Sequence, residues 1–168
     1  MPDSNQLHTA YLLLGSNMGN RLEMLQRARA ALEKEAGRIA KASGIYETAS
    51  WGVEGLPAHL NQALAMETSL SPMELLAAIQ LIESRLGRER IGKWGNRSID
   101  IDIIYYDDWV VDTPTLTIPH PLMQQRNFVL APLAAIAPHF LHPVLNLDNS
   151  YLFRHTTDKL AVNLVENP

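Results

Sequence analysis

A chain of 168 residues, 46% apolar and 19% charged, has the length and composition of one globular domain with its own core. A net charge of −4 gives no pull toward nucleic acid or an acidic membrane. The lack of cysteine excludes disulfides, thiolate metal sites and thiol nucleophiles.

At the N-terminus, Met1-Pro2-Asp3-Ser4-Asn5-Gln6 has neither the basic nor the apolar block of a signal peptide. The longest apolar run, Phe128 to Ala137, is too short to span a bilayer and contains Pro132. One domain over residues 1–168, cytoplasmic, monomeric and independent of membranes, is therefore expected. Thr9 to Leu14 reads as a strand, and Gly15-Ser16-Asn17-Met18-Gly19-Asn20 as the turn that ends it. Asn20, with Glu23 three residues on, caps a helix that carries Leu22, Leu25 and Leu32 inward and stops at Gly37. Ile39 to Thr48 reads as one strand, followed by an irregular stretch holding Gly52, Gly55 and Pro57. Asn61 to Thr68 sets Leu64 and Met66 against Ala63, Ala65 and Glu67, the pattern of a strand packed on one side.

Ser71-Pro72-Met73-Glu74 combines a serine cap, a proline at the first helical position and a glutamate at the third. The helix it starts has a core stripe of Leu75, Ile79, Ile82 and Leu86 and ends at Gly87, with Gln80 and Glu83 neighbours on another face. A basic loop follows from Arg88 to Arg97, then a strand over Ile99 to Tyr106 that should begin after Arg97. This order predicts an α+β, ferredoxin-like βαββαβ core: a mixed or antiparallel sheet with helices on one face. A hairpin over Trp109 to Ile118 and one or two helices, the first over Asn127 to Ala137, should complete the chain.

Asp100 and Asp102 are two apart on the last core strand, so both face one way, about 7 Å apart along it. Hard cations bridging a polyphosphate lie about 3.5–4 Å apart, and carboxylate oxygens are the ligands Mg²⁺ prefers. An isolated D-x-D pattern is equally compatible with a solvated acidic face. Its neighbourhood favours a site. Arg85, Arg88, Arg90, Lys93 and Arg97, drawn from the chain's fourteen cations, precede it, interspersed with Gly87, Gly92, Gly95 and Trp94. A basic, glycine-punctuated loop beside a metal-binding strand is what a phosphate-gripping lid requires. After the strand come His120, set between Pro119 and Pro121, and Arg126 with Phe128 at a helix start, where amide donors favour anions. No pair of histidines has zinc-site spacing, and His139 and His142 read as structural or surface residues.

Together these segments resemble the 6-hydroxymethyl-7,8-dihydropterin pyrophosphokinase family. The resemblance runs from about Ala10 to Phe140 and rests on Gly15-Ser16-Asn17, Leu60-Asn61, Gln80-Leu81-Ile82-Glu83, Trp94 through Ile103, Pro119-His120 and Arg126-Asn127-Phe128. It implies that ATP, as co-substrate, donates its terminal pyrophosphate to the pterin hydroxymethyl group and releases AMP, a step of folate synthesis. It further implies that Asp100 and Asp102 hold two Mg²⁺ ions, with Arg88, Arg97 and Asp100 catalytic. Gln80, Glu83, Arg90, Trp94, Ile103, Leu116, Thr117, His120 and Arg126 would bind ATP. Thr48, Trp51, Gly52, His59, Asn61 and Phe128 would bind the pterin. His59 stands where the family often has an aromatic ring, Asn96 where it commonly has proline, and Pro121 where some members have an aromatic.

Two other readings share some of these residues. A polymerase-palm-type nucleotidyl transferase would use Asp100 and Asp102 but gives no role to Asn61 with Phe128. A non-catalytic nucleotide-binding module would keep the fold without turnover. The glycine content of the stretches 47–57 and 88–96 predicts that they are the most mobile parts of the ligand-free chain.

Overall fold

The computed structural model describes residues 6–49, 58–87 and 99–168. Strand β1 (His8–Ser16) leads into helix α1 (Arg21–Glu35), capped as expected by the Asn20 side chain, which accepts from the Glu23 N–H at 3.0 Å. Strands β2 (Arg38–Ala42), β3 (Ile45–Thr48) and β4 (His59–Thr68) follow, then helix α2 (Pro72–Gly87) and strand β5 (Asp100–Tyr106). At the start of α2, Ser71 and Glu74 exchange backbone and side-chain hydrogen bonds in the reciprocal box that the sequence announces. Every ladder in the sheet is antiparallel, in the order β5-β1-β4-β3-β8, with β2 also on β4. This is the ferredoxin-like core.

Beyond it, β6 (Val111–Asp112) and β7 (Thr117–Ile118) form the expected hairpin. A single 3₁₀ turn (Met123–Gln125) precedes helix α3 (Asn127–Ile136), and helix α4 (Asn149–His155) and strand β8 (Val162–Glu166) close the chain. No described helix is long and apolar enough to cross a membrane.

Three expectations need correction. The stretch Ile39 to Thr48 is two strands, because the chain breaks at Ser43-Gly44 to satisfy buried polar groups: Ser43 Oγ accepts from the Ala63 N–H, and Gln62 Nε2 donates to the Ser43 carbonyl. Gly15 and Ser16 belong to β1 rather than a turn, with Gly15 paired to Asn61 on one side and to Asp100 on the other. Helices cover both sheet faces rather than one. Leu12, Leu14, Leu64, Met66, Ile101 and Ile103 pack under α1 and α2, whereas Leu13, Ala63, Ile104 and Tyr105 pack under α3 and α4. Hence β4 is buried on both sides, and its small Ala63 is an inward residue beneath a close-packed helix.

Strand β5 serves both cores through a bulge. Leu12 pairs with Ile103 and Tyr11 with Tyr105, which leaves Ile104 as the extra residue. The Ile104 carbonyl accepts from the His120 N–H at 3.0 Å, so the bulge anchors the segment after the hairpin.

Candidate active site

The α3-covered face of the sheet is left open where α3 begins. There Asp100, Gly15 and Asn61 lie abreast on β5, β1 and β4, with Asp102, Leu13 and Ala63 in the next row. As strand alternation demands, Asp100 and Asp102 are exposed on this face while Ile101 and Ile103 are buried behind them.

A first cleft of about 240 Å³ is lined by Thr48, His59, Asn61, Phe128, Arg126 and both aspartates, together with Leu13, Gly15, Ala49 and Leu160. Thr48 Oγ1 and Asn61 Oδ1 are buried with no hydrogen-bond partner among the described residues, and Asn61 Nδ2 is committed to the Leu14 carbonyl at 3.2 Å. A buried acceptor without a donor is costly unless a ligand supplies one. A flat heterocycle with N–H groups on its edge does so while Phe128 offers an aromatic face. The Arg126 guanidinium lies 5.8 Å from the Phe128 ring centroid, at the rim of the same cleft.

A second cleft of about 300 Å³ lies on the other side of Asp102, which lines both. Its walls are Leu76, Ile101, Ile103 and the hairpin residues Leu116 and Thr117, with His120 and Pro121 at one end. The structure thus brings Ile103, Leu116, Thr117 and His120 together. Gln80 is exposed on α2 and Glu83 is half-buried, its carboxylate accepting from the Ile101 N–H at 3.0 Å; neither lines these two clefts. Trp51, Gly52, Arg88, Arg90, Trp94 and Arg97 lie outside the described residues, as do Asn96 and most of the two stretches expected to be mobile.

Burial holds the His120 imidazole below its usual range; Asp102 pulls the other way and Arg126 adds to the depression. His59 is lowered by burial as well, with Asp100 opposing and Arg21 reinforcing. Both rings are therefore neutral near pH 7 and act as hydrogen-bonding and packing groups.

The donor chemistry fits Mg²⁺. Two carboxylates share one exposed face, and among the described residues no cluster of three or more His, Cys, Asp or Glu could hold a metal unaided. Two carboxylates leave most of an octahedral shell open, and substrate oxygens and water would complete it, as is usual for Mg²⁺ with polyphosphates.

Several lining residues were not foreseen. Gly15 and Leu13 enter the site because β1 runs straight through the presumed turn. Arg21, the first residue of α1, lies outside the lining but donates to Glu47 at 2.9 Å and to the Ala58 carbonyl at 2.6 Å, tying the end of β3 to the approach to β4. An arginine at a helix start carries no sequence signal for that role. Leu160 opens a short apolar run, Leu160-Ala161-Val162, near the end of the chain, and nothing local ties it to a cleft built from β1, β4 and β5.

The family model for 7,8-dihydro-6-hydroxymethylpterin-pyrophosphokinase matches residues 11–138. The 2-amino-4-hydroxy-6-hydroxymethyldihydropteridine pyrophosphokinase of Aquifex aeolicus is 44% identical over 136 residues, covering 81% of this chain and 84% of its own. The Bacillus subtilis protein of the same name is 46% identical over 128 residues, covering 76% and 77%. The crystal structure of wild-type Plasmodium falciparum HPPK-DHPS superposes with a TM-score of 0.77 at 18% identity, over 92% of this chain and 45% of that one. That likeness, to less than half of a longer chain, shows the fold. With a family model running from β1 through the end of α3, and with relatives this similar over most of their length, the chain belongs to the 7,8-dihydro-6-hydroxymethylpterin-pyrophosphokinase family.

Proposed function

We propose that the two clefts are the two substrate sites of a pyrophosphokinase, with Asp102 on their shared wall. The chain transfers the pyrophosphate of ATP to the hydroxymethyl group of 6-hydroxymethyl-7,8-dihydropterin, releasing AMP, in folate synthesis. The observation that carries the assignment is the double placement of Asp102: a carboxylate lining both cavities sits where the phosphates of one substrate meet the hydroxyl of the other.

In this reading ATP lies along Ile103, Leu116 and Thr117, its phosphates running past His120 toward Arg126. The pterin occupies the first cleft, with its ring on Phe128 and its edge on Asn61 and Thr48. The hydroxymethyl oxygen forms a bond to the β-phosphorus as the bond from that phosphorus to the bridging oxygen breaks. AMP departs with the bridging oxygen, and the hydroxyl proton passes to solvent. Asp100 orients the attacking hydroxyl, and no dedicated base is required, because alignment and charge neutralisation dominate such transfers. Mg²⁺ held by Asp100 and Asp102, two ions in this reading, would supply that neutralisation along the phosphates. Arg88, Arg90, Arg97 and Trp94 take the lid roles implied by family resemblance, and Gln80 and Glu83 flank the nucleotide. In this reading the chain works as a monomer in the cytoplasm, where ATP is available, and 1–168 is one domain.

Product analysis tests the assignment. Turnover of ATP with the pterin should yield AMP in step with the pterin diphosphate. Formation of ADP, or of free pyrophosphate in step with turnover, would overturn it. Asp100→Asn and Asp102→Asn should fold as the parent does and lose on the order of 10³ or more in kcat. A parent that binds nucleotide yet turns nothing over would instead make the chain a binding module.

A further inference from the structure

The matched family segment ends at residue 138, yet one wall of the first cleft comes from Leu160. We infer that Leu160 is a pterin-contacting, specificity-determining residue, and that Asp158 is the positioning residue that holds it against the ring site. This rests on the first cleft being the pterin half of the proposed site.

Leu160 is fixed from both sides. Two residues before it, the Asp158 carboxylate accepts from the N–H of Asn127, the first residue of α3, at 2.8 Å, and from the N–H of Leu160 itself at 3.0 Å. Thr156 Oγ1 in turn accepts from the Asp158 N–H at 3.3 Å. Two residues after it, Val162 opens β8 by pairing with Thr48, itself a cleft residue. At the centre, Asn127 Nδ2 donates to the Leu160 carbonyl at 3.2 Å. A half-buried apolar side chain, with its backbone tied to α3 and, through Val162, to β3, is held against the cavity that contains Phe128.

The chemistry of the contact follows. Phe128 offers one aromatic face, Asn61 and Thr48 offer polar edges, and Leu160 adds an aliphatic surface that a planar ring can cover. Such a surface discriminates by shape. It favours a flat, unsubstituted ring face and disfavours bulky substituents directed toward the tail.

The test separates pterin from nucleotide. In Leu160→Ala the pterin KM should rise about tenfold, with the ATP KM and the melting temperature near parental values. Asp158→Ala should raise the pterin KM in the same direction, and Asp158→Asn, which keeps only one of the two acceptor oxygens, should recover part of the loss. Val165→Ala, on the exposed part of β8, should change neither constant. Pterin binding to Leu160→Ala at parental affinity, in the presence of a non-hydrolysable ATP analogue, would overturn the inference while leaving the proposed function intact. A parallel rise in both KM values would likewise overturn it, since that marks a general structural role. Failure of the parent protein to bind the pterin at all would remove the proposed function itself.

Discussion

Gly15 occupies the middle of the row that joins Asp100 to Asn61, and a single methyl group there probes the first cleft. A Cβ built at Gly15 would lie 2.8 Å from Asn61 Nδ2 and 3.9 Å from the Leu60 carbonyl oxygen. Ordinary contact needs roughly 3.5–4 Å, so the Asn61 amide must retreat by about 1 Å. The backbone has room, because the clash is with a side-chain tip. That retreat breaks the 3.2 Å hydrogen bond from Nδ2 to Leu14, a net loss of about 1 kcal/mol. In a domain of this size that lowers the melting temperature by about 2–4 °C. The larger effect falls on the ligand. Displacing the buried Asn61 Oδ1 removes the proposed edge contact and should weaken pterin binding about fivefold to tenfold. Calorimetric titration of the pterin onto Gly15→Ala, with a non-hydrolysable ATP analogue and Mg²⁺ present, reads this directly. A cycle with Asn61→Ala isolates the cause, because Gly15→Ala should have little further effect once Asn61 is gone. Additive losses, or parental pterin affinity in folded Gly15→Ala, would refute the reasoning.

Other perturbations follow from the packing. Gly37→Ala should be far more damaging to stability than Gly15→Ala, since its Cβ would clash with the Glu67 carbonyl oxygen and the backbone must move. A loss of about 3 kcal/mol is expected, lowering the melting temperature by roughly 10 °C. Tyr105→Phe deletes the 2.7 Å bond to Asn149 Oδ1 and leaves that buried oxygen unpaired; about 1–3 kcal/mol should be lost in denaturant titration with the active-site constants intact. His142 is buried, and its Nδ1 accepts from the N–H groups of Val144 and Leu145, so the fold requires the neutral ring. Burial depresses its pKa, so the unfolded chain takes up the proton more readily. Its contribution to stability is therefore complete above the usual histidine value of 6.5 and is lost as pH falls through the lower folded value. Melting curves from pH 7.5 to 5 should show a smaller acid loss in His142→Asn, whose amide oxygen can accept in place of Nδ1. Equal slopes would assign the acid loss to His59 and His120, whose pKa values burial also depresses.

Elements whose signals are local could be read before folding. Asn20 with Glu23, and Ser71 with Pro72 and Glu74, mark their helix starts because capping is decided within four residues. The shared face of Asp100 and Asp102 follows from strand alternation alone. What escaped was decided by distant partners. Ala63 and Ala65 read as the outer side of β4 because small residues give little hydrophobic signal, yet they are buried, with Ala63 in the core beneath α3. The break at Ser43-Gly44 depends on Gln62 and Ala63, about twenty residues away in the chain. Leu160 becomes a cleft residue only through hydrogen bonds to α3 and the pairing of β8 with β3.

The bulge in β5 places Ile104 and Tyr105 on the same side, between Ile103 and Tyr106 on the other. A chain lacking Ile104 would restore plain alternation: Asp100, Asp102 and both tyrosines would keep their faces, and the ladder to β1 would lose nothing. The deletion is therefore close to neutral for strand pairing but not for His120, whose backbone hangs on the carbonyl of the extra residue. At this one position the needs of the strand ladder and of the proposed phosphate end of the site come apart. Natural or engineered length changes here should be judged by nucleotide affinity as well as by stability, since Ile104 is also a buried residue of the core under α3.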